Sequence, residues 1–133
     1  MTGKLPHQFE IFIKKADADL ALVQVALALE DKQIDLDIIF FHIQQAAEKY
    51  LKALICFNGV HFEKIHDINK LIGICRSNSI DLPVYIDILI ELNPYAVEGR
   101  YAVIADDMDE AEGYAKYLSQ LSEFVKHTLN SGH

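Results

Sequence analysis

The stretch FHIQQAAEKYLKALICFNG, residues 41–59, lies within the strongest helical pattern of the chain. Apolar side chains recur every three or four residues along it and just before it, as on one face of an α-helix. Asp35 precedes the pattern, whereas Asn58 and Gly59 follow it as a natural helix stop. We therefore predict a helix from about Asp35 to Phe57. Its predicted core face consists of Ile39, Ile43, Ala46, Ala47, Tyr50, Ala53, Leu54 and Phe57.

The same periodicity predicts four further helices, so that helices account for most of the chain. Pro6 can open the first helix at its first turn, and apolar positions then follow from Phe9 to Leu27. Asp67, Asp81 and Asp109 precede the other three helices, as expected of residues that cap or begin a helix. These three helices are predicted at about 67–76, 82–92 and 109–129.

No strand-like alternation of useful length competes with these helices. The predicted fold class is therefore all-α: a bundle of about five helices with an up-and-down core. Pro94 is expected to end the fourth helix. Residues 95–107 then form a long loop before the last helix, which is unusual because bundle helices are commonly joined by about two to eight residues. Long ordered loops often carry function.

Composition excludes several classes of function. The 133 residues suit a single domain over 1–133, and the net charge of −8 disfavours broad binding to phosphate backbones. Cys56 and Cys75 lack zinc-finger spacing, and the acidic run at 106–110 lacks the ligand pattern of a calcium loop, so we predict no metal and no cofactor. With no signal peptide and no apolar run long enough to span a bilayer, we expect a cytoplasmic protein without a membrane partner.

A polar ridge runs beside the core face of the second helix. His42, Gln45, Lys49 and Lys52 are spaced three, four and three residues apart, which places them in one sector of the helix. The lysines could bind phosphate, and the ridge would then contact a nucleotide or another polyanion. Alternatively, the ridge is a solvated face on which Glu48 and Lys52 form a weak surface pair, and His42 hydrogen-bonds to a neighbouring helix.

Three residues outside this ridge are further candidates for nucleotide or polyanion binding. His66 lies beside Asp67 at a helix start, where anions are favoured, and no core periodicity requires it. Arg100 and Tyr101 lie in the long loop, where they could bind a phosphate or carboxylate and stack on a base. Alternatively, Arg100 anchors the loop to a nearby acidic residue and Tyr101 packs beneath it.

A second apolar stripe on the first helix predicts a contact with another chain. Leu22, Val25 and Leu29 lie roughly opposite the core stripe in the second half of that helix. Phe41 and Ile55 are expected to point away from the core face of the second helix. Together these five residues predict a surface for a dimer or a protein partner.

Three blocks of the sequence resemble the HEPN domain family: residues 41–59 quoted above, HDINKL at 66–71 and LNPYAVEGRYA at 92–102. The segment ADADLALVQVAL at 16–27 also resembles the first helix of that family. The resemblance implies a bundle of about five helices that is often dimeric. It also implies a small nucleotidyltransferase as protein partner, in a pair similar to toxin–antitoxin systems. Other family members are metal-independent ribonucleases, in which an arginine is followed after four to six residues by a histidine.

The chain departs from the ribonuclease pattern, because neither Arg76 nor Arg100 is followed by a histidine at that spacing. We therefore assign no catalytic residue. The leading hypothesis is a non-catalytic accessory protein that dimerises, pairs with a nucleotidyltransferase and contacts nucleotide. The alternative is an atypical ribonuclease toxin that acts on RNA through Arg100 and a spatially adjacent histidine, His66 or His42.

Overall fold

The structure is a computed structural model that describes residues 8–29, 35–95 and 108–131. Within these ranges all regular structure is helical, which confirms the predicted all-α class. Four elements are α-helices and one is a 3-10 helix, called η1 below. The elements are α1 (Gln8–Ala28), α2 (Leu36–Phe57), α3 (Ile68–Ser77), η1 (Ile86–Tyr95) and α4 (Met108–Ser131).

Helix α2 is the centre of the fold, because it packs against each of the other four elements. It runs antiparallel to α1: Phe9 near the start of α1 stacks edge-on against Phe57 at the end of α2, with ring centroids 5.3 Å apart. On the other side, the rings of Phe40 and Tyr114 meet at 5.8 Å and connect α2 to α4. The prediction that the helix containing residues 41–57 contributes to the core is confirmed.

The predicted signals at both ends of the α2–α3 connection are confirmed. Asn58 ends α2, and Gly59 adopts a left-handed backbone with φ of 71°, which a glycine tolerates without strain. The Asp67 carboxylate accepts hydrogen bonds from the backbone N–H groups of Asn69 and Lys70 at the start of α3. The Asn93 side chain also donates to Asp67, and this bond ties η1 to the same helix start.

The fourth element differs from its prediction in type and position. It is a 3-10 helix over Ile86–Tyr95 rather than an α-helix over 82–92, and it includes Pro94. A 3-10 helix has about three residues per turn, so side chains three residues apart lie on one face. Ile86, Leu89 and Leu92 have that spacing and are all buried. The three-residue period is therefore present in the sequence, but over a segment this short it also fits the α-helical period of 3.6 residues.

The prediction that Ile55 points away from the core is wrong, because its side chain is completely buried within the chain. The physical reason is the central position of α2. A helix enclosed on several sides buries residues around its whole circumference rather than along one stripe. Leu51, which also lies off the predicted core face, is fully buried for the same reason.

Candidate functional site

A carboxylate from α1, that of Asp19, contacts the predicted polar ridge of α2. Asp19 receives a hydrogen bond from the Lys49 ammonium at 2.7 Å, and its other oxygen lies 2.9 Å from Nδ1 of His42. All three side chains are largely shielded from solvent. This arrangement confirms that His42 hydrogen-bonds to a neighbouring helix. Both side chains are therefore engaged in the α1–α2 contact rather than projecting freely into solvent.

A second group of polar side chains joins three helices at Asp17 on α1. The buried Tyr50 hydroxyl on α2 donates a hydrogen bond to Asp17, and Lys126 on α4 lies 3.0 Å from the same carboxylate. Burial, followed by the bond to Asp17, raises the pKa of the Tyr50 hydroxyl far above its usual range. The neutral phenol is consequently favoured in the folded protein.

Replacing Tyr50 with phenylalanine should lower the free energy of unfolding by about 1 to 2 kcal/mol near pH 8, because the bond to Asp17 is lost. The difference should then shrink with rising pH. An unfolded Tyr50 ionises near pH 10.0 while the folded one stays neutral, so its stabilising contribution is complete below that pH. Above it, the contribution falls by about 1.4 kcal/mol per pH unit.

Urea unfolding of both proteins at pH 8, 9, 10 and 11 measures this difference. A difference between wild type and Tyr50→Phe that stays constant over this range would contradict the assignment.

The most buried charged group in the described ranges of the chain is Glu48, whose side chain is 2% exposed. One of its oxygens accepts a hydrogen bond from Lys52 at 2.8 Å and one from Nδ1 of His66 at 2.9 Å. Its other oxygen accepts from the amide of Gln44 at 3.1 Å. We call Glu48, Lys52, His66 and Gln44 the Glu48 cluster.

The Glu48 cluster corrects the expected surface pair. Glu48 and Lys52 do interact, but they are buried rather than solvated, with Lys52 only 8% exposed in its side chain. The helical spacing predicted the contact correctly. It could not predict that the segment after α2 would bring His66 onto the same carboxylate and cover the pair. His66 itself remains largely exposed, although its Nδ1 is hydrogen-bonded to Glu48.

The structure thus divides the six binding candidates into three sets. His42 and Lys49 meet at Asp19, whereas Lys52 and His66 meet at Glu48. Arg100 and Tyr101 lie outside the described residues, as does most of the predicted loop at 95–107. Sequence reasoning missed Asp19 as the partner of the ridge. The signal was an acidic residue between apolar positions on the core side of α1.

Three of the five residues predicted for a partner surface are exposed. Leu22, Val25 and Leu29 are exposed by 45%, 61% and 41%, although they are apolar. Phe41 is half-buried and stacks edge-on against His42, with ring centroids 5.1 Å apart. The buried Ile55 is not available to another chain. An additional residue, Ile38 on α2, is 39% exposed and lines a small cavity together with Leu22.

We call Leu22, Val25, Leu29 and Ile38 the apolar face. Its α2 member, Ile38, was not among the residues predicted for this surface. Across the described ranges, no cluster of three or more histidine, cysteine or acidic residues could hold a metal ion. No helix in those ranges is long and apolar enough to cross a membrane.

The fold and these contacts define a class of protein: an all-α bundle whose central helix α2 is joined to α1 by the contacts of Asp19 with His42 and Lys49. A model of the HEPN domain family matches residues 9–128. The chain therefore belongs to the HEPN domain family, and the resemblance seen in the sequence is confirmed. No curated protein and no solved structure matches this chain.

Proposed function

We propose that this HEPN protein is a non-catalytic accessory subunit that forms a homodimer and pairs with a small nucleotidyltransferase in a toxin–antitoxin-like system in the cytoplasm. The observation that carries the proposal is the apolar face: its four side chains are exposed, and two of them, Leu22 of α1 and Ile38 of α2, line one small cavity. Such a surface is costly to leave in water and is typical of contacts with another protein. The family's frequent dimerisation supports a second copy as the first occupant.

The non-catalytic part of the proposal rests on the contacts that the candidate binding residues of α2 already make. His42, Lys49 and Lys52 all contact carboxylates and are mostly shielded from solvent. A cation already paired with a carboxylate attracts phosphate less strongly, because much of its field is cancelled at short range. The missing arginine-to-histidine motif points the same way. This pairing gives no support to nucleotide binding along the ridge of α2.

The proposed function can be tested by co-expressing the chain with the nucleotidyltransferase encoded beside it. We expect the two proteins to co-purify and the isolated chain to have twice its 15.1 kDa mass in size-exclusion chromatography with light scattering. Ribonuclease assays on the purified chain should show no cleavage. A 15.1 kDa species that binds no nucleotidyltransferase would contradict the proposal.

One observation favours the alternative, an atypical ribonuclease. Glu48 holds Nδ1 of His66 while the ring remains 60% exposed, and a carboxylate that orients a histidine in this way is a common feature of general acid–base sites. The alternative predicts RNA cleavage that is lost in both His66→Ala and Arg100→Ala. Cleavage by wild type that neither substitution affects would exclude these residues as its source.

A further inference from the structure

Asn58 and Gly59, which close helix α2, form the dipeptide in which an asparagine side chain deamidates most readily. The reaction begins when the backbone nitrogen that follows the asparagine attacks the side-chain carbonyl carbon. Glycine has no side chain to shield that nitrogen, and its backbone turns freely. Both residues are exposed in the folded chain, so water reaches them. The end of α2 therefore carries a group that can be modified without an enzyme.

The two groups that would react are hydrogen-bonded to α2 rather than to each other. The Asn58 side-chain amide donates to the carbonyl of Leu54 at 2.8 Å, one turn earlier in the helix. The Gly59 N–H donates to the carbonyl of Cys56 at 3.0 Å. The side chain must leave Leu54, and the Gly59 nitrogen must leave Cys56, before the attack can take place. The reaction is thus coupled to local opening of the helix end.

The end of α3 repeats this arrangement with one difference. The Asn78 side chain donates to the carbonyl of Ile74 at 2.8 Å, and the Ser79 N–H donates to that of Arg76 at 3.3 Å. Ser79 is also left-handed, with φ of 59° against 71° for Gly59. Because serine carries a side chain that shields its nitrogen, Asn78 should react more slowly than Asn58. The remaining asparagines also lack a following glycine: Asn69, Asn93 and Asn130.

We propose that Asn58 is the preferred site of spontaneous deamidation in this chain, that the hydrogen bonds at the end of α2 restrain the reaction, and that its products weaken this helix end. The Gly59 nitrogen forms a bond to the Asn58 side-chain carbon, and the side-chain nitrogen leaves as ammonia with the proton of the Gly59 N–H. Water then opens the cyclic imide at either of its carbonyl groups and yields aspartate or isoaspartate. The net reaction takes up one water and releases one ammonia.

The products are unsuited to the position of Asn58. A carboxylate cannot donate to the carbonyl of Leu54, so two oxygens would face each other where a hydrogen bond now lies. It also adds a negative charge at the C-terminal end of a helix, which the helix dipole disfavours. Isoaspartate further lengthens the backbone beside the left-handed Gly59. Each conversion therefore makes the end of α2 easier to open. The proposal does not depend on dimerisation or on a nucleotidyltransferase partner.

The test is to incubate the full chain in mildly alkaline buffer, folded in one arm and unfolded by guanidinium chloride in the other. Peptide mapping by mass spectrometry follows the conversion of each asparagine. We expect Asn58 to convert first in the unfolded arm, ahead of Asn78, and at least roughly tenfold more slowly in the folded arm, since two hydrogen bonds must break. Earlier conversion of another asparagine in the unfolded arm, or equal Asn58 rates in both arms, would overturn the proposal.

A variant that loosens the end of α2 without changing the dipeptide shows whether opening controls the rate. Phe9→Ala removes the ring that stacks on Phe57, so the folded protein should deamidate at Asn58 several-fold faster than wild type. Ile11→Ala also shortens an apolar side chain near the start of α1, but Ile11 is 53% exposed, so this matched control should react as wild type does. Circular dichroism checks that both variants are folded, and in guanidinium chloride all three proteins should react equally. An unchanged rate in folded Phe9→Ala would contradict control by opening.

The effect of the product is measured with Asn58→Asp. Its midpoint of unfolding in guanidinium chloride should be lower than that of wild type. Asn69→Asp makes the same chemical change in the first turn of α3, where the helix dipole favours a carboxylate, so its midpoint should fall less. An Asn58→Asp protein with the midpoint of wild type would refute the weakening of the helix end.

Discussion

Replacing Glu48 with alanine is expected to lower the free energy of unfolding by about 3 to 5 kcal/mol at neutral pH. The variant leaves Lys52 without its carboxylate in a position where its side chain is only 8% exposed. An unpaired buried ammonium costs far more than a lost surface contact, because it was removed from water without a compensating partner. The same substitution releases His66 and the Gln44 amide from their shared acceptor. Urea unfolding followed by circular dichroism measures the change.

Asp87→Ala is the matched control, since it also removes a carboxylate from an ion pair. The Asp87–Arg76 pair is more than half exposed on both sides, so its loss should change the free energy of unfolding by less than about 1 kcal/mol. The double variant Glu48→Leu with Lys52→Met should be more stable than Glu48→Ala, because it removes both charges together. If Glu48→Ala were no more destabilised than Asp87→Ala, the Glu48 cluster would not contribute as described.

Replacing Leu22 and Val25 together with aspartate is expected to convert the proposed homodimer into monomers. Both side chains belong to the apolar face, and Val25 is 61% exposed in the single chain. A carboxylate enclosed at an apolar contact without a partner costs several kcal/mol. Two of them should raise the dissociation constant by more than about a hundredfold. Light scattering over a dilution series measures the shift in mass.

Val84→Asp is the control for added charge, because Val84 is 98% exposed and lies outside the apolar face. It should leave the mass unchanged, and circular dichroism should show that both proteins keep their helices. A double variant that remains dimeric would place the dimer contact on another surface.

The features predicted well from the sequence depend on neighbours within one helical turn. The limits of α2, the stop at Gly59 and the cap at Asp67 are decided by local backbone preferences and by hydrogen bonds between nearby residues. The overall class followed from the same periodicity. The family was recognisable because the order of residues in three blocks was specific, although each block alone describes an ordinary amphipathic helix.

The features predicted poorly depend on contacts between distant residues. The pairing of Glu48 with His66 spans 18 positions, and that of Asp19 with Lys49 spans 30. Periodicity places a charged residue on a helix face, but it does not state which other element covers that face. Ile55 was misplaced for the same reason, because the number of neighbours around α2 is a tertiary property. The sequence therefore indicated individual residues of the candidate site but not which of them contact each other.

The central position of α2 also determines how readily its backbone amides exchange with solvent. Its amide protons can exchange with deuterium only when neighbouring elements separate, and α2 contacts all four others. Opening of that extent approaches global unfolding, whereas η1 can separate while most contacts of α2 remain intact. Amides near Ala46 to Leu54 should thus exchange at a rate that reports the stability of the whole bundle. Amide exchange in this one helix therefore indicates how cooperatively the whole bundle unfolds.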